Sequence, residues 1–409
     1  MLRTDGHGGQ CVILVGGLGS RLGPLTADCP KPLLPVAGKP FLAYLMENVR
    51  RHGFDDFILL AGYKGELVQT FADSDWIRRL QCRVRVLVEG EPAGTGGALV
   101  LARELLQPAF LLLNGDSLFD FNLLDLTRRP LDAGTDAWLS LRPVANAARY
   151  GTVELHGDRL VAFRERPASD EAALVNGGVY WLSRRLVEAL PERRPVSLER
   201  DVLPGLAGRG RVGGQTYDGF FLDIGVPEDF AVAQTAIPEA MQRPAIFLDR
   251  DGVLNHDHQG YTHRIADFQW IDGAREAIRL LNDRGWLVFV VTNQAGIARG
   301  YYDAGAVERL HAWMNEDLKS LGGHIDDFRY CPHHPEGVVD GLAITCQCRK
   351  PAPGMIEDLL AEWSVWRERS VLVGDKGSDI QAAQTAGIRG LLFCGGNVCM
   401  FIEKALFRK

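Results

Sequence analysis

The sequence predicts an α/β protein of two domains, each built on a mostly parallel sheet flanked by helices. Three observations predict it. Short apolar runs alternate with amphipathic stretches along the whole chain. The runs form two series, separated by a short segment with a proline at each end. Glycine-rich or acidic signatures follow several runs directly, where open parallel sheets place their ligand sites. At 409 residues the chain also exceeds one ordinary core.

The elements follow in order. Residues 11–15, 57–61 and 110–113 are short apolar runs and are read as buried strands. Between the first two, residues 41–52 place Leu42, Leu45, Met46 and Val49 on one helical face. A second series starts at 245–248 and continues at 286–291, 370–373 and 390–393, with a helical pattern at 274–284. The break is expected near 238–244, between Pro238 and Pro244, giving domains 1–238 and 239–409.

Composition narrows the function classes. Hydrophobic residues make up 46% and charged residues 24%, ordinary for a globular protein, and the net charge is -7. That balance speaks against nucleic acid or an anionic membrane as partner. No apolar run is long enough to span a bilayer, and the polar N-terminus lacks the apolar core of a signal peptide. The expectation is a cytoplasmic enzyme acting on small anionic molecules. Of eight cysteines, Cys331, Cys346 and Cys348 stand near histidines and read as a metal site. Cys11, Cys29, Cys82, Cys394 and Cys399 read as plain thiols.

The first signature is Gly16-Gly17-Leu18-Gly19-Ser20-Arg21, with Pro30-Lys31-Pro32 downstream. Glycines after a strand let backbone N–H groups approach phosphates. Arg21 adds a fork of donors and Lys31 a compact charge. Gly94 opens a second glycine-rich loop. Asp116 follows the run 110–113, and Asp223 lies far along the chain; as a pair they suit Mg²⁺ over a triphosphate. Together these residues resemble the sugar-nucleotide pyrophosphorylase family over about residues 10–236. The resemblance implies a Rossmann-like nucleotidyltransferase in which a sugar 1-phosphate attacks the nucleotide α-phosphate. It implies nucleotide contacts from Gly16, Gly17, Gly19, Arg21 and Gly94, charge neutralisation by Arg21 and Lys31, and Mg²⁺ binding by Asp116 and Asp223. It also implies sugar contacts from Gly151, Glu165 and Asn176. After Glu165 the family pattern has Lys-Pro, whereas this chain has Arg166-Pro167.

The second signature is Asp249-Arg250-Asp251 after the run 245–248. Two such carboxylates can divide nucleophilic attack on phosphorus from proton transfer. Thr292-Asn293, Arg349-Lys350 and Asp375 follow in order, and the set resembles the haloacid dehalogenase (HAD) superfamily of phosphatases. The resemblance implies Asp249 as nucleophile and Asp251 as acid/base. It implies phosphate contacts from Thr292, Asn293, Arg349 and Lys350. Mg²⁺ would be held by Asp249, Asp375 and the backbone carbonyl of Asp251, with Asp379 in support. Cys331, His333, Cys346 and Cys348 offer four tetrahedral Zn²⁺ ligands, leaving His334 spare. This zinc loop resembles that of heptose bisphosphate phosphatases, with histidinol-phosphate phosphatases as close relatives.

Both chemistries meet in GDP-heptose biosynthesis. The expected reactions are loss of the 7-phosphate of D-glycero-α-D-manno-heptose 1,7-bisphosphate, then GMP transfer from GTP to heptose 1-phosphate. The GDP branch is favoured because the His-x-Gly-His-type motif of the ADP branch is absent. The alternative is transfer to mannose 1-phosphate or another sugar 1-phosphate, fused to a histidinol-phosphate-type phosphatase.

Overall fold

The computed structural model describes residues 9–145, 147, 152–164, 172–192, 195–257 and 260–408. They form two compact units that divide between Glu239 and Ala240.

The N-terminal unit is built on a nine-stranded sheet. Its strand Gly9–Val15 pairs in parallel with Phe54–Ala61 on one side and Ala109–Asn114 on the other. Arg83–Val88 extends the parallel half at its edge. The helix Phe41–Arg51 buries Leu42, Leu45, Met46 and Val49, the face expected from their spacing. Beyond Ala109–Asn114 the sheet changes character. Ala173–Ser183 runs antiparallel to both Ala109–Asn114 and Ala137–Val144. The hairpin of Thr152–His156 and Arg159–Arg164 is also antiparallel. Antiparallel neighbours need only short turns, so no helix of the βαβ rhythm announces them. A small ribbon pairs Ser117–Phe119 with Phe221–Asp223 and sets Asp223 opposite Ser117.

The C-terminal unit holds a five-stranded, all-parallel sheet. Its central strand Ala245–Leu248 shows why a strand buried on both faces reads as a continuous apolar run. Ile246 and Leu248 join one core cluster, which includes Ala277, Ile278 and Leu281 of the helix Ala274–Asp283. Ala245 and Phe247 join another, which includes Met355, Ile356 and Leu359 of the helix Gly354–Glu362. The edge strand Asp327–Cys331 was not among the expected runs, because Asp327 and Arg329 interrupt it and leave no continuous apolar run.

The segment that opens at Pro238 is helical at its start, since the helix Pro227–Met241 runs through it. A proline inside a helix removes one backbone donor, and here buried Ala233 and Ile237 anchor the helix just before Pro238. Among the described residues, no helix is long and apolar enough to cross a membrane.

Candidate active sites and metal centre

In the N-terminal unit, Gly16, Gly17, Gly19, Arg21, Lys31, Gly94 and Asp116 line one cavity of about 770 Å³. They come from different parts of the chain. The first loop follows Gly9–Val15, Gly94 opens the helix Gly94–Ala102, and Asp116 follows Ala109–Asn114. Gly94 has φ 72°, and a Cβ there would lie 2.6 Å from the Val196 carbonyl oxygen, so no other residue fits easily.

The expected carboxylate pair is assembled around a lysine. Lys31 Nζ lies 2.6 Å from Asp116 Oδ2 and 3.9 Å from Asp223 Oδ1, and the lysine is buried. The Ser117 hydroxyl reaches both acids, at 3.1 Å from Asp116 and 3.2 Å from Asp223. Burial and the nearby Asp116 charge raise the Asp223 pKa above the usual carboxylate value. Two like charges held this close are a reason for a divalent cation to bind, so the donor set suits one.

Asn176 stands back from the wall. Its side chain donates to the Tyr180 hydroxyl at 2.5 Å, and Tyr180 donates to Glu199 at 3.2 Å. Glu199 lines the cavity and accepts from Thr95 at 2.8 Å. Gly151 and Glu165 lie outside the described residues. Sequence reasoning missed Glu199, and also Glu89 and Glu91 on the same wall. None of the three stands in a motif that flags it.

In the C-terminal unit, Asp249, Thr292 and Asp375 stand at the C-terminal ends of three adjacent parallel strands. Lys350 Nζ lies 2.9 Å from Asp249 Oδ1 and 2.7 Å from Asp379 Oδ1, and donates to the Val291 carbonyl at 2.8 Å. Asp249, Lys350 and Asp379 are all buried. Burial pushes the Asp249 pKa up to about 6, with Lys350 opposing that rise and Asp379 adding to it. One carboxylate oxygen from each of Asp249, Asp375 and Asp379 falls within 4.8 Å of the others. Asp375 Oδ1 is buried without a hydrogen-bond partner, the kind of orphan acceptor that a cation satisfies. A Cβ on Gly252 would lie 2.4 Å from Asp375 Oδ2, so the backbone just after Asp251 packs against that carboxylate.

Asp251 points its carboxylate elsewhere, to Arg250, Asn255 and Gln294. Asn293 holds the Lys350 segment, donating to the Lys350 carbonyl and accepting from its N–H, both at 3.0 Å. Its side-chain amide is therefore engaged in fixing that loop. Arg349 donates to the His333 carbonyl at 3.3 Å, a contact with the Cys/His loop.

The Cys/His cluster is compact. Cys331, Cys346 and Cys348 have Sγ separations of 3.2–3.5 Å, and His333 Nδ1 lies 3.3 Å from Cys348 Sγ. All four donor atoms lie within 4.8 Å of one another, and all three thiols are free of disulfides. That donor set and spacing suit one tetrahedral divalent ion. His334 is not part of it and instead accepts from the Glu336 N–H at 3.1 Å. The Cys331 carbonyl accepts from the Gln294 N–H at 2.8 Å, so the cluster also meets the loop after Leu287–Asn293.

Comparison with known proteins divides the chain at the same place. The nucleotidyl transferase family matches residues 10–240, and the HAD-hydrolase-like family matches residues 347–398. Over 226 residues the chain is 35% identical to D-glycero-alpha-D-manno-heptose 1-phosphate guanylyltransferase of Aneurinibacillus thermoaerophilus, covering 55% of this chain and 96% of that protein. Over 168 other residues it is 46% identical to D-glycero-beta-D-manno-heptose-1,7-bisphosphate 7-phosphatase of Rhodopseudomonas palustris, covering 41% of this chain and 92% of that protein. The alpha-anomer phosphatase of Photorhabdus laumondii is also 46% identical, over 142 residues, covering 35% of this chain and 77% of that protein. Among solved structures, HddC from Yersinia pseudotuberculosis complexed with GMP-PN is similar, with 31% identity and a TM-score of 0.50. The match covers 56% of this chain and 99% of HddC.

Proposed function

The chain belongs to the nucleotidyl transferase family through residues 10–240 and to the HAD-like heptose bisphosphate phosphatases through its C-terminal part, and we propose that it catalyses two consecutive steps of GDP-heptose formation. The phosphatase unit removes the 7-phosphate of D-glycero-α-D-manno-heptose 1,7-bisphosphate. The nucleotidyltransferase unit then joins heptose 1-phosphate to GMP from GTP. The observation that carries this reading is the presence of two separately assembled anion sites, Lys31 with Asp116 and Asp223, and Lys350 with Asp249 and Asp379. The guanylyltransferase relative, named for the α-anomer, supports that anomer; the phosphatase relatives are named for either one, at 46% identity over 168 residues for the β-named and 142 for the α-named protein.

In the N-terminal unit, Arg21 and Lys31 neutralise the phosphates while an oxygen of the sugar 1-phosphate attacks the α-phosphorus and pyrophosphate leaves. The amide N–H groups of the 16–19 loop face the triphosphate, while the Gly96 and Gly97 N–H groups at the start of Gly94–Ala102 donate to the Val196 carbonyl and hold that second loop in place. Glu89 and Glu91 support guanine as the base, since carboxylates only accept and guanine presents N–H donors on its Watson–Crick edge. Asn176 acts on the sugar side through Tyr180 and Glu199, since its own amide stands back from the wall. Asp116 and Asp223 would hold Mg²⁺, which supplies charge stabilisation at the phosphates when bound.

In the C-terminal unit, the Asp249 carboxylate attacks the 7-phosphorus while Asp251 delivers a proton to the departing sugar oxygen. Water then cleaves the aspartyl-phosphate, and Asp251 takes a proton from it. Thr292 and Lys350 hold the phosphoryl oxygens, Arg349 supplies charge from the loop beside them, and Asn293 fixes the Lys350 segment. Asp249 and Asp375, with the Asp251 carbonyl, would hold Mg²⁺, which offsets phosphoryl charge when bound. Cys331, His333, Cys346 and Cys348 would hold Zn²⁺ as a closed structural site.

One incubation tests the whole reading: protein, heptose 1,7-bisphosphate, GTP and Mg²⁺, with products followed by mass spectrometry. GDP-heptose, phosphate and pyrophosphate are expected together. Phosphate release without GDP-heptose rejects the assigned sugar or base. Absence of phosphate rejects heptose bisphosphate as substrate and directs the next assay to histidinol phosphate.

A further inference from the structure

We propose that Gln294, held by Tyr302, is a positioning residue that registers the acid/base Asp251 against the phosphate-binding Thr292. The proposal rests on the phosphatase reading above and concerns how the leaving-group proton is delivered.

Three side chains donate to the Asp251 carboxylate. Arg250 donates from Nε to Oδ1 at 3.1 Å and from Nη2 to Oδ2 at 3.0 Å. Asn255 donates to Oδ1 at 3.1 Å, and Gln294 Nε2 donates to Oδ2 at 2.9 Å. Arg250 and Asn255 belong to the same turn as Asp251 and move with it. Gln294 differs, because it follows the neighbouring strand Leu287–Asn293. Its Nε2 also donates to Thr292 Oγ1 at 2.9 Å. One amide nitrogen thus ties the carboxylate to the hydroxyl that holds the phosphoryl group, and so fixes the proton donor relative to the reacting centre.

The amide is fixed in turn. In its ionised, base form the Asp251 carboxylate only accepts, so Gln294 points its nitrogen at Asp251 and leaves Oε1 for a donor. Tyr302 supplies that donor, its hydroxyl lying 2.7 Å from Oε1. The tyrosine sits in a fitted slot. His263 stacks on its ring with centroids 4.5 Å apart. A Cβ on Gly296 would lie 2.2 Å from that ring, so the glycine makes the room. Gln294 is 1% exposed, which leaves solvent little part in its hydrogen bonding. His263, Gln294 and Tyr302, which the catalytic roles left unused, thereby acquire one task.

The test uses the full chain with Mg²⁺ and two phosphate esters. Heptose 1,7-bisphosphate leaves as a sugar alkoxide and needs the proton. p-Nitrophenyl phosphate leaves as a stable phenolate and does not. Ester cleavage is measured in a single turnover, so the shared hydrolysis of the aspartyl-phosphate does not enter. Gln294→Ala should slow cleavage of the bisphosphate about tenfold to a hundredfold, less than the roughly 10²- to 10⁴-fold that the acid–base group itself contributes, because Asp251 is misplaced rather than removed. The aryl ester should slow less than about threefold, and half-saturating concentrations should stay close to wild type, since general acid assistance acts on the leaving group rather than on binding. Tyr302→Phe, which removes only a hydroxyl, should show the same pattern in weaker form. Equal slowing of both esters in the two variants overturns the proposal, because a Thr292 or folding role affects both alike. A wild-type chain that cleaves neither ester overturns the phosphatase reading and the proposal with it.

Discussion

The two sites handle the same chemical group in opposite ways. The N-terminal site is a cavity of about 770 Å³ whose wall includes the glycines of two loops and the ion pair of Lys31 with Asp116. The C-terminal site is a buried knot in which Lys350 is shared between Asp249 and Asp379. The difference follows from the reactions. Joining two substrates needs room for a sugar phosphate and a nucleotide, and the protein contributes mainly alignment and positive charge. Forming an aspartyl-phosphate needs one carboxylate held close to phosphorus, and here Asp249 is buried with its charge paired to Lys350 beforehand.

The comparison breaks first at the nucleophile. Asp249→Asn should lower phosphate release by about 10⁴-fold or more, as removal of a nucleophile does. GDP-heptose formation from supplied heptose 1-phosphate should stay within about twofold, because the transfer assay never uses the attack step that the nucleophile performs. Loss of both activities would contradict two independent sites. Asp116→Ala should do the reverse. It strands Lys31 and removes one of two paired carboxylates, so transfer should fall about 10²- to 10³-fold, read as pyrophosphate release. Phosphatase activity should be unchanged.

A smaller effect is expected at the Cys/His cluster. Cys348→Ser removes a thiol that contacts Cys331, Cys346 and His333. The same loop carries Arg349 and Lys350, and the Cys331 carbonyl holds the Gln294 N–H. Phosphatase activity should therefore fall about tenfold to a hundredfold, the usual size for loss of a supporting group around a site. Metal analysis should show near one Zn²⁺ per wild-type chain and much less in the variant. Full Zn²⁺ retention in Cys348→Ser would remove that residue from the ligand set.

What was legible in the sequence follows the same division. The parallel strands were readable because burial on both faces makes them continuous apolar runs, as at 245–248. The sites at their ends were readable because Asp249, Asp116 and the 16–21 loop directly follow such runs. The antiparallel half of the N-terminal sheet was not, since Thr152–His156 and Arg159–Arg164 expose one face and carry mixed residues. Glu199 was unreadable for another reason: its role depends on Thr95 and Tyr180, which only the folded chain brings to it. Asp379 shows the limit within a motif. Its place beside Asp375 in the sequence was clear, but its ion pair with Lys350 required the structure.

The smallest expected effect separates the two sites by stability. Asp249 has its pKa raised to about 6, chiefly by burial, against an unfolded value of about 3.9. An acid with a raised folded pKa binds its proton more tightly in the native state. Its ionised form therefore weakens the fold fully above about pH 6, and the penalty is relieved as pH falls toward 4. Asp249→Asn removes that charge while keeping the shape. In Mg²⁺-free buffer at pH 7.5, the variant should unfold a few degrees above wild type by calorimetry, consistent with up to about 3 kcal/mol from a two-unit shift. The gain should shrink at pH 5, where the wild-type carboxylate is already largely protonated. Mg²⁺ should stabilise wild type more than the variant, because the added charge then has a use. Asp116→Asn is the control from the open site: it is paired with Lys31 and partly exposed, so its loss should lower stability slightly. If Asp249→Asn also melted earlier than wild type at pH 7.5, the buried carboxylate would be stabilised by Lys350 more than burial penalises it, and the contrast between a relaxed open site and a strained closed one would fail.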